Sequence, residues 1–509
     1  MNEDKKIEMK KENFIKLFDN PHKMLIGAIV FIGVCLRLYF YNVAKYQAHW
    51  WDSLAYGGLA KNMILGLWAD NAFLAHESII RPPLLPWVWS VLLRFGLSDA
   101  STILFLEILP SIFIIWFVYL IAKELYDDRI ALISAFIASF SWVFLFYSLR
   151  IMTDIPSLLF SLISIYYFIK SYENLKTKEF ALSVAFLALA VITRYSYGLV
   201  APVYIIFLAV VHRHHFLKNK NFWIGGLTGA IPLVLFFVFN LFKYGSLLPA
   251  SSVYSQSASE KASVAFYVFG FVPYILQNIL WIAFLLGVFL VIWEVYVGFS
   301  EISKIKRVRS NVFSLLLLFA VFIFYVAIIR AAEDRYLMTA MPFMFMFAGL
   351  ALMEIYKMLS KYSNKVAIVL VLTILLFGAY SQFTFGKTLI DNKKESYKQM
   401  KEAFEWIKDN TEESALIGGE GVDPYVIYYS ERKVALNYNA SDLQKYSKGA
   451  DYMVLHRFEY QTEKMVNYVN ENTGQDKIFI PLYAVFFDVE QKNPAVIVYK
   501  VNKDKIIVS

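Results

Sequence analysis

The stretch HWWDSLAYGGLAKN, residues 49–62, sets one carboxylate, Asp52, behind a histidine and two tryptophans after an apolar run. A carboxylate within about 3 Å of a hydroxyl can take its proton as a new bond forms, which is general-base chemistry. Trp50, Trp51 and Tyr56 are amphipathic aromatics of the kind that collect at a membrane interface, and His49 lies beside them. The same Asp52 also reads as the N-cap of an interfacial helix whose apolar residues include Leu54, Ala55 and Leu59. Further on, HESIIRPP supplies His76 and Glu77, which either orient an acceptor or mark a hydrated loop end. With Asp52 and Asp154 they would form an oxygen-and-imidazole ligand set suited to Mg²⁺ or Mn²⁺.

Asp154, in SLRIMTDIPSLLF, stands before Ile-Pro at the head of an apolar run, an ordinary way to start a helix. Arg150, one helical turn earlier, can pair with it or meet a phosphate. Arg194 lies between ALSVAFLALAVIT and YSYGLVAPVYIIFLAV, where it can snorkel to the interface or bind phosphate. Arg335, in AAEDRYLMTAMP, is the stronger clamp, because a guanidinium fork makes bidentate bonds to phosphate oxygens that partial dehydration strengthens. Glu333 and Asp334 compete for it, and Tyr336 adds a hydroxyl for a phosphate or sugar oxygen.

The elements that must position these residues are membrane helices. The 509-residue chain is 58% hydrophobic and only 18% charged, and its apolar residues fall in long blocks such as MLIGAIVFIGVCLRLYFY, SLLLLFAVFIFYVAII and VAIVLVLTILLFGAY. Each approaches the roughly 20 residues that a span needs. The first block follows a Lys-rich segment, residues 1–23, with no small-residue cleavage site after it, and reads as a retained first span. The basic connections KSYENLKTKE, HRHHFLKNKN, EISKIKRVRS and YKMLSKYSNK read as cytoplasmic by the positive-inside rule. Asp52, Asp154, Arg194 and Arg335 then share the opposite side, and the first outward loop covers about 42–80.

RPPLLPWVWSVLLRFG (81–96) is short and opens on two prolines, so the expectation is about eleven spans, or twelve if it crosses fully. Beyond residue 385 the character changes to a soluble α/β domain, 386–509, outside the cytoplasm. YKQMKEAFEWIKDN and QTEKMVNYVNENT have helical spacing, and SALIGG, YMVLH and AVIVYKV read as strands. NAS at 439–441 matches a glycosylation acceptor, a pattern common by chance. The single cysteine, Cys35, excludes disulfides, and the three histidines of HRHHF are a topology signal among Lys and Arg instead of a zinc site. The formal charge of +8 is partitioned by topology and gives no reason to expect nucleic acid, and the glycines form no phosphate loop that would suit an ATP-driven pump.

The order of these motifs resembles that of the GT-C fold glycosyltransferases, most of all the protein O-mannosyltransferase and lipid A aminoarabinose transferase branch. It comprises an Asp soon after the first span, RPPLLP, RIMTDIP, TR, and DRYLMTAMPFMFMFAG near the end of the hydrophobic region. The likeness covers roughly residues 24–385. It implies a GT-C-like membrane domain, Asp52 as the catalytic base, and an inverting transfer from a polyprenyl- or dolichyl-phosphate sugar to an extracytoplasmic protein, lipid or glycan. The residue chemistry puts Arg335, Arg194, Arg150 and Tyr336 around the donor phosphate, with His49, Tyr56, His76, Glu77 and Asp154 binding the acceptor or supporting the charged groups, and the family also places an acid where Asp154 stands. Many members carry a second acid beside the first; here Asp52 is followed by Ser53, which leaves the base role to Asp52 alone. The expected setting is a prokaryotic plasma membrane, with the N-terminus cytoplasmic and membrane lipids as neighbours. The competing class is a transporter or flippase, which also uses intramembrane charge and broken helices. Transporters usually show repeated halves, whereas this chain gathers its charges on one side and adds an external domain.

Overall fold

The computed structural model describes residues 21–250, 264–325, 333–435 and 442–506. Most of the basic segment 1–23, part of AAEDRY and the NAS triplet lie outside the described residues. Contacts divide the chain into two compact units, Met1–Ala44 with Ile103–Ile390, and Lys45–Thr102 with Asp391–Ser509.

The first unit is a helical membrane bundle. Among the described residues, seven helices are long and apolar enough to cross a membrane, and a pair bent by 48°, Lys220–Gly229 and Ile231–Tyr244, makes an eighth. That is fewer than the eleven or twelve spans expected from sequence. An apolar run reads alike whether its helix faces lipid or protein. Asp128–Phe140 and Thr177–Thr193 have 13 and 17 residues and bury Ser134, Ser139 and Ser183. Phe31, Phe242, Phe289 and Tyr296 stay exposed, as a lipid-facing surface permits, whereas Met341–Met353 is buried throughout. At Gly287 an added Cβ would lie 1.9 Å from the Phe347 carbonyl oxygen, so only glycine allows this approach to the buried helix. Pro110 and Pro273 lack an amide hydrogen, and the turn before each, Leu104–Ile108 and Tyr267–Phe271, opens into a π-helical turn.

The second unit is mixed α/β. Its described strands are β1 (Leu416–Gly418), β2 (Lys433–Val434), β3 (Tyr452–His456), β4 (Phe479–Phe486) and β5 (Pro494–Val501), in the order β2-β1-β3-β5-β4. β2, β1 and β3 run parallel, while β5 is antiparallel to both β3 and β4. The expected helix is Lys398–Asn410, burying Met400, Ala403, Phe404 and Ile407 at helical spacing. A core of Met453, Met465, Val469, Phe479 and Tyr499 lies between the sheet and the Glu463–Glu471 helix.

This unit takes up more than the segment 386–509. The helices Trp51–Leu65, Ala72–Ile80 and Leu84–Arg94 belong to it as well. They do so because Leu54, Ala55, Tyr56 and Trp89 bury their apolar surface within it. Leu84–Arg94 has 11 residues. Its rise of about 16 Å is near half of a hydrocarbon core.

Candidate active site

Asp52 is not the N-cap of its helix. Trp50 holds that position without a side-chain cap bond, and Asp52 sits in the first turn, where a negative charge meets the positive end of the helix dipole. Its carboxylate receives a bond from Arg81 Nη2 at 2.9 Å, while Arg81 Nε donates to Glu77. Arg81 is placed by Pro82, since a residue before proline is pushed out of the helical region. It takes φ −96° and ψ 132° and ends the Ala72–Ile80 helix there. The guanidinium also lies 4.8 Å over the ring of buried Tyr56. Burial alone would lower the pKa of Arg81, but Tyr56, Asp52 and Glu77 around it raise it above the ordinary arginine value. The site therefore keeps one fixed positive charge beside two carboxylates. His76 is exposed on the same helix, and buried His49 turns its Nε2 to Asp99 Oδ2 at 2.9 Å.

The other arginines gather in the first unit. Arg194 follows the Thr177–Thr193 helix and pairs with Asp154 at 2.7 Å, the acid lying in the first turn of Asp154–Ser171. Its guanidinium is 5.5 Å from the Tyr336 ring, which Arg335 also approaches at 5.5 Å. Tyr336 stacks on Tyr325 at 5.0 Å, and Arg335 Nε reaches Glu333 at 2.5 Å. Asp154, Arg194, Arg335 and Tyr336 are thus brought together. Arg150 is buried, with its guanidinium 3.8 Å from the Phe146 ring and Nη1 donating to the Phe146 carbonyl at 3.0 Å. Beside this cluster is a cavity of about 490 Å³ lined by Phe266, Phe271, Tyr274, Glu333 and Asp334. Burial pushes the Asp334 carboxyl above its ordinary range, and the Tyr147 hydroxyl donates to it at 2.5 Å.

Several contributors had no role in the sequence analysis. Arg81 stood unassigned inside the RPP motif. Glu107 is carried by the π-helical turn before Pro110, and its Oε1 accepts the Met152 N–H at 2.8 Å, fixing the turn that leads into Asp154. The signal for Glu107 was an acid alone in the apolar run LFLEILP. Asp99 and Tyr428 gave no local signal. Among the described residues, no three His, Cys, Asp or Glu side chains gather to hold a metal ion. Asp52 and Glu77 direct carboxylate oxygens to Arg81 instead. In the HRHHF turn, His212 lies 2.7 Å from the Tyr172 carbonyl and His215 3.2 Å from that of His212.

Residues 80–239 match the family described as dolichyl-phosphate-mannose-protein mannosyltransferase. An uncharacterized protein of Aquifex aeolicus is 28% identical over 182 residues, a match spanning 35% of this chain and 36% of that protein. Among solved structures, ArnT from Cupriavidus metallidurans in the apo state is similar at a TM-score of 0.65 and 13% identity, covering 94% of this chain and 99% of ArnT. ArnT has also been solved bound to undecaprenyl phosphate. The archaeal oligosaccharyltransferase AglB from Archaeoglobus fulgidus, in complex with an inhibitory peptide and a dolichol-phosphate, is similar at 0.61 and 13% identity, over 86% of this chain and 70% of AglB. At such identities the likeness is one of fold.

Proposed function

Starting from a chain that has the GT-C superfamily fold, we propose that it is an integral membrane glycosyltransferase. It would move a sugar from a polyprenyl- or dolichyl-phosphate donor to an acceptor outside the cytoplasm. The observation that carries this reading is the pair of Asp52 and Arg81, a partly exposed carboxylate held at 2.9 Å by a more deeply buried arginine. The family match over residues 80–239 and the lipid phosphates bound by ArnT and AglB support the donor class.

In this mechanism the acceptor hydroxyl gives its proton to Asp52 as its oxygen bonds to the anomeric carbon. The bond from that carbon to the phosphate oxygen breaks, and the lipid phosphate leaves with the electron pair. Attack from the face opposite the phosphate inverts the anomeric centre. Arg335 is the clamp, since its partner Glu333 is exposed and can yield to a phosphate, and Tyr336 beside it offers a hydroxyl. Arg194 adds field but is committed to Asp154. Arg150 strengthens the positive charge of the cluster from its buried position. The cavity beside Asp334 is large enough for a donor head group. His49, Tyr56, Glu77 and Asp154 support the charged groups, and exposed His76 is left to meet the acceptor. Three of the four candidate ligands of a divalent cation, Asp52, Glu77 and Asp154, pair with arginines, and no step here is routed through a metal. The catalytic side faces outward, with the N-terminus in the cytoplasm of a prokaryotic cell.

The test uses purified full-length protein, a labelled lipid-phosphate sugar and a panel of hydroxyl acceptors. Asp52→Asn is expected to lower transfer by about 10²–10⁴-fold. Transfer that survives the substitution removes Asp52 from the base role. Movement of labelled lipid across a vesicle bilayer without any sugar transfer would make the protein a transporter.

A further inference from the structure

His49, three residues before Asp52, is tied to parts of the second unit far from it in sequence. Its Nε2 meets Asp99 Oδ2 at 2.9 Å, and the Tyr428 hydroxyl donates to Asp99 Oδ1 at 2.6 Å. The His49 backbone N–H donates to the Tyr429 hydroxyl at 2.7 Å. The imidazole meets the Tyr428 ring edge-on at 5.1 Å and stacks on Tyr429 at 6.3 Å. His49, Tyr428 and Tyr429 are buried, Asp99 is partly exposed, and both tyrosines sit on the π-helical turn Val426–Ser430.

The same turn grips the Asp52 helix further along. A Cβ at Gly57 would fall 2.4 Å from the Tyr428 ring, so glycine alone lets the helix backbone lie against it. Lys61 Nζ donates to the Tyr428 carbonyl and to Glu431, both at 2.6 Å. At about 100° per residue, Lys61 is half a turn round the helix from Asp52. The contacts thus seize the back of the helix and leave Asp52 on the side of Arg81. No side-chain cap fixes the helix entry at Trp50. Its direction is set from outside.

We propose that His49, Asp99, Tyr428 and Tyr429 are positioning residues for the transfer step. Through them the C-terminal segment sets the attitude of the Asp52 carboxylate. This rests on Asp52 being the base. It gives the C-terminal segment a part in catalysis that is independent of any contact with acceptor.

Tyr428→Phe removes one hydroxyl and keeps the ring, and Asp99→Asn keeps the shape but leaves one acceptor oxygen in place of two. Each is made alone and in the Asp52→Asn background, with kinetics, thermal unfolding and amide hydrogen exchange measured on the full-length protein. Both are expected to lower kcat about 10-fold or more with donor KM little changed, since small misplacement of a reacting group is costly. Exchange in the Trp51–Leu65 helix should rise about 10-fold, while the Met341–Ser360 helix stays protected. In the Asp52→Asn background, Tyr428→Phe should have no further effect on residual transfer.

Unchanged exchange in the Asp52 helix overturns the proposal, whatever the activity. An equal loss of kcat with and without Asp52 overturns the link to catalysis. If Asp52→Asn alone keeps full transfer, the functional reading fails, and the exchange data still decide whether the tyrosines hold the helix.

Discussion

Two ion pairs, one in each unit, are built in opposite senses. In the second unit Arg81 is the more buried partner, 13% exposed against 29% for Asp52. In the Arg194 pair of the first unit the acid is the buried one, with Asp154 at 1% and Arg194 at 17%. A buried arginine behind an accessible carboxylate presents the acid; a buried acid behind a less buried arginine presents the cation. Transfer from a lipid phosphate needs one of each, a base for the acceptor and a clamp for the leaving group. Within the first unit Arg335 has the sense of Arg81, 15% exposed against 45% for Glu333. Arg335 leans on a half-exposed Glu333, so its bond is exchangeable in a way that the Arg194 pair is not.

Breaking the second-unit pair should have the largest effect. Arg81→Met leaves Glu77 buried without its cation. Loss of one partner from a buried pair costs about 3–5 kcal/mol. The expected result is a marked drop in thermal stability together with loss of transfer. Arg81→Lys should recover much of the stability but less of the activity, since an ammonium cannot bridge two carboxylates with a planar fork. Equal recovery of both would show that only the charge matters there.

The two arginines of the first unit offer the next comparison. Arg194→Ala strands buried Asp154 and should destabilise by about 3–5 kcal/mol. Arg335→Ala leaves only a half-exposed glutamate without this cation and should cost less than Arg194→Ala. It should instead raise donor KM, and Glu333→Gln should lower it by removing a negative charge that competes with the phosphate. If Arg335→Ala unfolds the protein as readily as Arg194→Ala, Arg335 is a structural ion-pair residue and the contrast collapses.

Patterns repeating within one element were legible in the sequence. The spacing of Met400, Phe404 and Ile407 announced the Lys398–Asn410 helix, and YMVLH coincides with β3. β4 went unread because it is an edge strand with Pro481 at a register shift, and its burial follows no alternation. Among site residues, the acids and arginines at the ends of apolar runs stood out by composition alone. Glu333 was legible beside Arg335, but the distant partners were not. Arg81 is 29 positions from Asp52, Asp99 is 50 from His49, and Tyr428 is 329 from Asp99. No short-range period links such pairs; only the folded chain does.

The smallest expected effect concerns the second unit alone and is a matter of pH. His456 ends β3, and its Nε2 lies 3.0 Å from the Glu420 carbonyl, which requires the proton on Nε2. Its Nδ1 faces the backbone N–H groups of Phe458 and Glu459, each at 3.4 Å, and must accept. A second proton would point at two donors. Burial lowers the His456 pKa, and the Glu420 carbonyl and charge offset this only in part. A depressed folded-state value means that the neutral imidazole contributes stability above its ordinary pKa of about 6.5. That contribution is lost as pH falls toward the lower folded value, with a slope of at most about 1.4 kcal/mol per pH unit for one group. Thermal unfolding followed between about pH 7.5 and 5 should therefore fall more steeply for wild type than for His456→Gln. Gln can donate to the Glu420 carbonyl without titrating. Parallel curves would show that His456 does not carry the acid sensitivity of the second unit in this range.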